Sequence, residues 1–83
     1  MDIVVFTQYL KYDKIIWIGA CAFEGCKSLK RIVLPKGIEC VEWRAFHDCE
    51  NLTIYCKDEE KPKEWEDEWD LGVKKVVWGY KGE

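Results

Sequence analysis

A 23-residue step constrains this 83-residue chain more than any other feature in it. Ile15, Ile18, Ala22, Phe23, Cys26 and Leu29 recur as Ile38, Val41, Ala45, Phe46, Cys49 and Leu52. Matched positions at one spacing mark a solenoid, in which each unit buries its apolar face only by stacking on its neighbour. The step divides a single domain into four parts. Residues 1–14 form an N-terminal cap or degenerate repeat, 15–37 a first repeat, 38–56 a second, and 57–83 a C-terminal cap.

Inside the first repeat, Ile32 and Leu34 alternate with Arg31 and Val33, the pattern of a short strand with one face inward. Pro35 and Gly37 then break it and turn the chain. A second short strand is predicted at 15–18 and again at 40–42. Between the strands, Ala22-Phe23 and Ala45-Phe46 predict a helical or 3₁₀ turn, with the small Ala allowing close backbone approach. Leu29, Ile32 and Leu34 also follow L-x-x-L-x-L spacing.

On Ile18, Gly19, Ala22, Phe23, Cys26, Leu29, Ile32, Leu34 and Pro35 the chain resembles the BspA-type leucine-rich repeat family. The second repeat matches with Val41, Ala45, Phe46, Cys49 and Leu52, but has Glu42 where the first has Gly19. It also loses a residue after Leu52, so its strand reads Leu52, Ile54, Cys56. The remainder is similar to the segment that ends many arrays in this family, anchored here by Tyr55-Cys56, Lys61-Pro62, Trp65, Trp69 and Val76-Val77-Trp78-Gly79. The resemblance implies an α/β-type or mainly β solenoid, a short coil stack with a C-terminal helix-strand cap. For function it implies surface-mediated binding, adhesion included, and no single activity.

A chain this small buries only about 60–65% of its unfolded surface. Two coils also fall short of the roughly three that an array needs. Trp65, Trp69 and Trp78 are expected to supply the missing core, with degenerate strands near Ile3–Phe6 and Tyr9–Tyr12 at the other end. A poorly capped first coil would invite a homodimer through the N-terminal end. Asp2 sits where a signal peptide would be positive, and Ile3–Phe6 is too short an apolar run for one. No stretch approaches a membrane span. Five cysteines do not make a paired framework. The expectation is a cytoplasmic protein with reduced thiols.

The net charge of −3 conceals an asymmetry. Residues 58–70 hold Asp58, Glu59, Glu60, Glu64, Glu66, Asp67, Glu68 and Asp70 against Lys61 and Lys63. Pro62 suits a first helical turn, and the acids before it suit the positive end of a helix dipole. Trp65 and Trp69, four apart, would share the core face of that helix. Glu64, Glu66, Asp67 and Glu68 would then face solvent, either as a plain solvated surface or as an electronegative face for a basic partner. Whether Glu24, Glu39, Glu42 or Glu50 extends that strip is left open by the sequence. Basic pairs such as Lys30-Arg31 are too sparse for a nucleic-acid track, so direct nucleic-acid binding is not expected.

Chemistry is not expected either. His47, Asp48 and Cys49 superficially suggest a base and a nucleophile. Cys49 shares its register with Cys26 and belongs inside as a packing residue, while His47 reads as an exposed turn residue. Cys21-x₄-Cys26 and Cys49-x₆-Cys56 lack the spacing of zinc knuckles. No cofactor motif is present.

The chain therefore reads as a non-catalytic protein-interaction module displaying a rigid surface. Its candidate contact residues are Arg31 and Val33 on the first strand, Thr53 and Tyr55 on the second, and Glu64, Glu66, Asp67 and Glu68 on the cap. Trp17 and Trp43 fall out of register with each other. If both are exposed, their surface ranks ahead of the acids. The alternative is a small phage or mobile-element inhibitor of a host nuclease, anti-CRISPR-like, acting through the acidic face.

Overall fold

The computed structural model describes residues 17–82 in full and the backbone of 3–5. Among the described residues, short apolar runs bounded by turns give six strands: β1 (Ile3–Val5), β2 (Trp17–Ile18), β3 (Arg31–Leu34), β4 (Cys40–Val41), β5 (Thr53–Cys56) and β6 (Lys75–Val77). Every pairing is parallel. One sheet runs β1-β3-β5-β6 and the other is β2-β4. Parallel neighbours need a crossover between them, and here those from β2 to β4, β3 to β5 and β5 to β6 are each one lap of a coil.

Ile32 and Leu34 of β3 lie in register with Ile54 and Cys56 of β5. These four join Ile18, Leu29, Val41, Phe46, Cys49 and Leu52 in one buried core between the sheets and the turns. Phe23 and Phe46 stack at 5.2 Å with their planes 7° apart, so the aromatic positions of the repeat form a column through the coils. Ala45 is fully buried, while Ala22, on the outermost described turn, is exposed.

The predicted cap helix is not there. No described residue is helical, and the segment from Pro62 is a succession of tight turns. The N–H groups of Trp65, Trp69, Leu71 and Val73 reach back three residues, to the carbonyls of Pro62, Glu66, Glu68 and Asp70, at 3.2–3.3 Å. Glu68 (φ 59°) and Gly72 (φ 90°) adopt left-handed backbone, which a right-handed helix cannot pass through.

The segment is instead a third coil. Glu42 N–H donates to the Ile18 carbonyl at 2.9 Å, and Glu66 N–H repeats that bond on Val41 at 3.0 Å. Besides Gly37 and Gly79, the left-handed residues among those described occur in pairs four apart: Cys21 with Gly25, Arg44 with Asp48, Glu68 with Gly72. Aligning the coils on these pairs puts Trp69-Asp70 where Ala22-Phe23 and Ala45-Phe46 stand. The third coil inverts the sizes, large then small. Trp69 closes the column edge-on to Phe46 at 6.4 Å and packs on Trp65 and Trp78. Trp65 and Trp69 are buried, as the sequence predicts, through a turn rather than a helix face.

The coils are not of equal length. Arg31 pairs with Thr53 and Thr53 with Lys75, a 22-residue step both times. The left-handed positions step by 23 and then 24, from Cys21 to Arg44 to Glu68. The sheet keeps its register while the corners absorb the difference.

The expected pairing through the N-terminal end falls on residues 1–16, of which only the β1 backbone lies within the described residues. Tyr9, Tyr12 and Ile15 lie outside them. Among the described residues no helix is long and apolar enough to cross a membrane.

Candidate functional site

The two small strands carry the site. In β2, Ile18 points into the core and Trp17 away from it. One turn on, Trp43 leaves β4 just before the left-handed Arg44. Trp17 is 55% and Trp43 45% exposed, unusually open for indoles. Both of the tryptophans that the sequence left undecided thus lie at the surface.

Carboxylates of the next coil fix both rings. Trp17 Nε1–H donates to Glu42 Oε2 at 2.7 Å, and the other oxygen of Glu42 accepts the Ala20 N–H at 2.9 Å. Glu66 repeats the device one coil later, accepting the Trp43 N–H at 2.9 Å. Trp43 Nε1–H reaches Glu68 Oε1 at 3.1 Å. Arg44 lies over the Trp43 ring, 4.4 Å from its centroid. Its Nε stands 3.5 Å from the same Glu68 oxygen, off the hydrogen-bonding line. Charge and ring contact, rather than a hydrogen bond, hold that pair. Glu42 departs from the family pattern, which has Gly19 in the first coil; the sequence marked it by that departure and as one of four acids that could extend the acidic strip.

Beside this edge lies an open hollow of about 350 Å³ lined by Ile38, Glu39, Pro62 and Glu64. Its position follows from the coil alignment: Trp17, Cys40 and Glu64 occupy one column. Trp65 Nε1–H donates to the Ile38 carbonyl at 3.0 Å, which ties the hollow's floor to the core. The Cys40 thiol is pushed up by its burial and then by the charges of Glu66, Glu42 and Glu64. Three carboxylates therefore converge on this edge.

The strand-face residues gather elsewhere. Arg31 lies over the Tyr55 ring at 5.2 Å, and Tyr55 packs against Tyr80 at 4.8 Å. Thr53 is half-buried. Val33 is not displayed at all, with 0% exposure. It lies in register between Val5 of β1 and Tyr55 of β5, and, buried there, it has no surface to offer a partner. Glu64, Glu66, Asp67 and Glu68 are exposed, but Glu66 and Glu68 already spend oxygens on Trp43 and Arg44.

His47 and Cys49 do not make a catalytic pair. Cys49 is fully buried and its Sγ donates to the Phe23 carbonyl at 3.0 Å. Burial is the largest cause raising its pKa. His47 is half-buried in its turn and pairs with Glu24 across coils at 3.2 Å. Burial pushes the Cys56 thiol up to about 12, with Asp58 and Asp70 adding to it. Among the described residues no group of His, Cys, Asp and Glu is placed to hold a metal ion.

Stacked parallel coils with leucine-rich spacing, an aromatic column and an exposed turn edge define a leucine-rich-repeat solenoid. The sequence matches the BspA type leucine rich repeat region (6 copies) over residues 6–63, and the chain belongs to that family. Such repeats are typically protein-binding modules rather than catalysts. No curated protein and no solved structure matches the chain.

Proposed function

We propose that the chain is a non-catalytic protein-binding module that presents the Trp17–Trp43 edge of its coil stack. The observation carrying this is the combination of exposure and rigidity: two open indoles, each with its N–H held by a carboxylate of the following coil. Tryptophans are enriched at binding hot spots. Rings already fixed lose little freedom on binding, so more of the contact energy is kept as affinity.

The acidic inhibitor reading ranks second, because half of the residues Glu64, Glu66, Asp67 and Glu68 hold the indole edge together. Capture of proteins by the immobilised chain separates the two readings. The variant W17A/W43A, shown by circular dichroism to be folded, loses the captured partners if the indole edge binds them. Unchanged capture refutes the proposal. Capture that survives W17A/W43A but collapses with added salt favours the acidic surface.

A further inference from the structure

We propose that Cys26 and Cys49 are an oxidisable pair, which a low-molecular-weight disulfide such as oxidised glutathione converts into a cross-link stapling the first coil to the second. Of the five cysteines, only these two stand at equivalent positions of neighbouring coils. Cys40 lies opposite Trp17 and Cys56 opposite Leu34, and Cys21 aligns with Arg44 among the left-handed corners.

The backbone brings the pair within reach. Phe23 N–H donates to the Ala45 carbonyl at 2.7 Å and Gly25 N–H to the His47 carbonyl at 2.9 Å. Each bond lands one residue before the aligned counterpart, the offset of a parallel ladder. Chains paired this way run about 4.8 Å apart, inside the Cα separation of about 4.4–6.8 Å that a disulfide accepts. The Cys49 sulfur is also turned towards the first coil. It donates to the Phe23 carbonyl at 3.0 Å, and the Cys26 N–H reaches that same oxygen at 3.2 Å. Burial raises the Cys49 thiol most, and then the Cys26 N–H lowers it and charge on Cys26 raises it, so Cys26 stands close enough to act on that sulfur. Losing the Cys49 S–H orphans no acceptor, because the Phe23 carbonyl keeps the Cys26 N–H.

Access sets the order of the steps. Cys26 is half-buried at the rim of the core and Cys49 is fully buried. The Cys26 thiolate attacks one sulfur of oxidised glutathione and releases the first glutathione thiolate. The Cys49 thiol gives up its proton and attacks the Cys26 sulfur of the mixed disulfide, displacing the second. Two protein thiols are thereby oxidised, one glutathione disulfide is reduced to two thiols, and the two protons end on them.

The test treats the full chain with oxidised glutathione and maps the product by mass spectrometry. Cleavage after glutamate puts each of the five cysteines on its own peptide, with residues 25–39 carrying Cys26 and 43–50 carrying Cys49. The expected product links those two peptides, has lost two hydrogens, and keeps Cys21, Cys40 and Cys56 open to alkylation. Its melting temperature should rise by at least about 10 °C, the scale of closing a loop of this length in a small domain, and fall back on reduction. C26S, whose substitution is at the half-buried position, should show neither the link nor the rise. A link through any other cysteine, a link between chains, a mixed disulfide at Cys26 that goes no further, or an oxidised form that melts no higher overturns the proposal.

Discussion

Truncating Phe46 to Ala tests whether the aromatic column couples the coils. Phe46 has 0% exposure and stands between Phe23 at 5.2 Å and Trp69 at 6.4 Å. Removing a fully buried Phe costs about 3–5 kcal/mol, through lost burial and the cavity left behind. Two aromatic neighbours put this site towards the upper end of that range, since such pairs are worth about 0.5–1.5 kcal/mol beyond their area. A domain of this length has a total stability of roughly 4–12 kcal/mol. The variant should therefore lose a third of its stability or more, and melt at least about 15 °C lower. Urea unfolding followed by tryptophan fluorescence measures the loss directly. Phe23→Ala is the internal control, because Phe23 is only half-buried. It should cost about half as much. Equal losses for the two variants, or a loss under about 1 kcal/mol for Phe46→Ala, would refute the column as the element that joins the coils.

Two further outcomes are expected. Gly72 has φ 90°, and a Cβ there would lie 2.6 Å from the Asp48 backbone nitrogen, whereas Gly25 (φ 75°) has nothing within 4 Å. Gly72→Ala should thus cost about 2–3 kcal/mol in urea unfolding and Gly25→Ala only about 1 kcal/mol; a reversed order would contradict the packing of the third coil on the second. Burial raises the Asp58 carboxyl above its ordinary 3.8, with Lys36 pulling the other way. The folded state then binds the proton more tightly than the unfolded one, so the contribution of Asp58 to stability is complete below 3.8 and is lost as pH rises through the folded value. Asp58→Asn should raise the melting temperature near pH 7 and leave it unchanged near pH 3, and an equal rise at both would contradict the burial argument.

Much of the coil stack was legible because its determinants are local and periodic. Ile32, Leu34, Ile54 and Cys56 alternate with residues of the other face, and Pro35 and Gly37 mark the corner after β3. The third coil was not legible. Trp69-Asp70 takes the place of Ala-Phe, and Trp65 and Trp69 fall at a helical spacing behind a proline, which is a strong local imitation of a helix. What overrides it is long-range. Glu66 N–H is claimed by Val41, the Trp65 indole by Ile38, and Glu68 is held left-handed. The exposed tryptophans could be named from the sequence but not placed, because their register positions differ. Val33 was misjudged for a related reason: alternation tells which face a residue takes, and not whether that position on the face is covered. Glu42 was visible as a break in the repeat and as one acid among several, and its use as a double acceptor needed the neighbouring coil.

The unequal coils have a consequence for how such a chain can grow. The strands keep one step from β3 to β5 to β6, while the left-handed corners drift by a residue per coil. Contour length is thus uncoupled from the rise of the stack. A duplicated segment spliced into the array need not be a faithful copy, provided its surplus or missing residue falls at a corner. Gene duplication can then vary the number of coils first and leave point substitution, as at Trp69-Asp70, to change how one coil packs on the next.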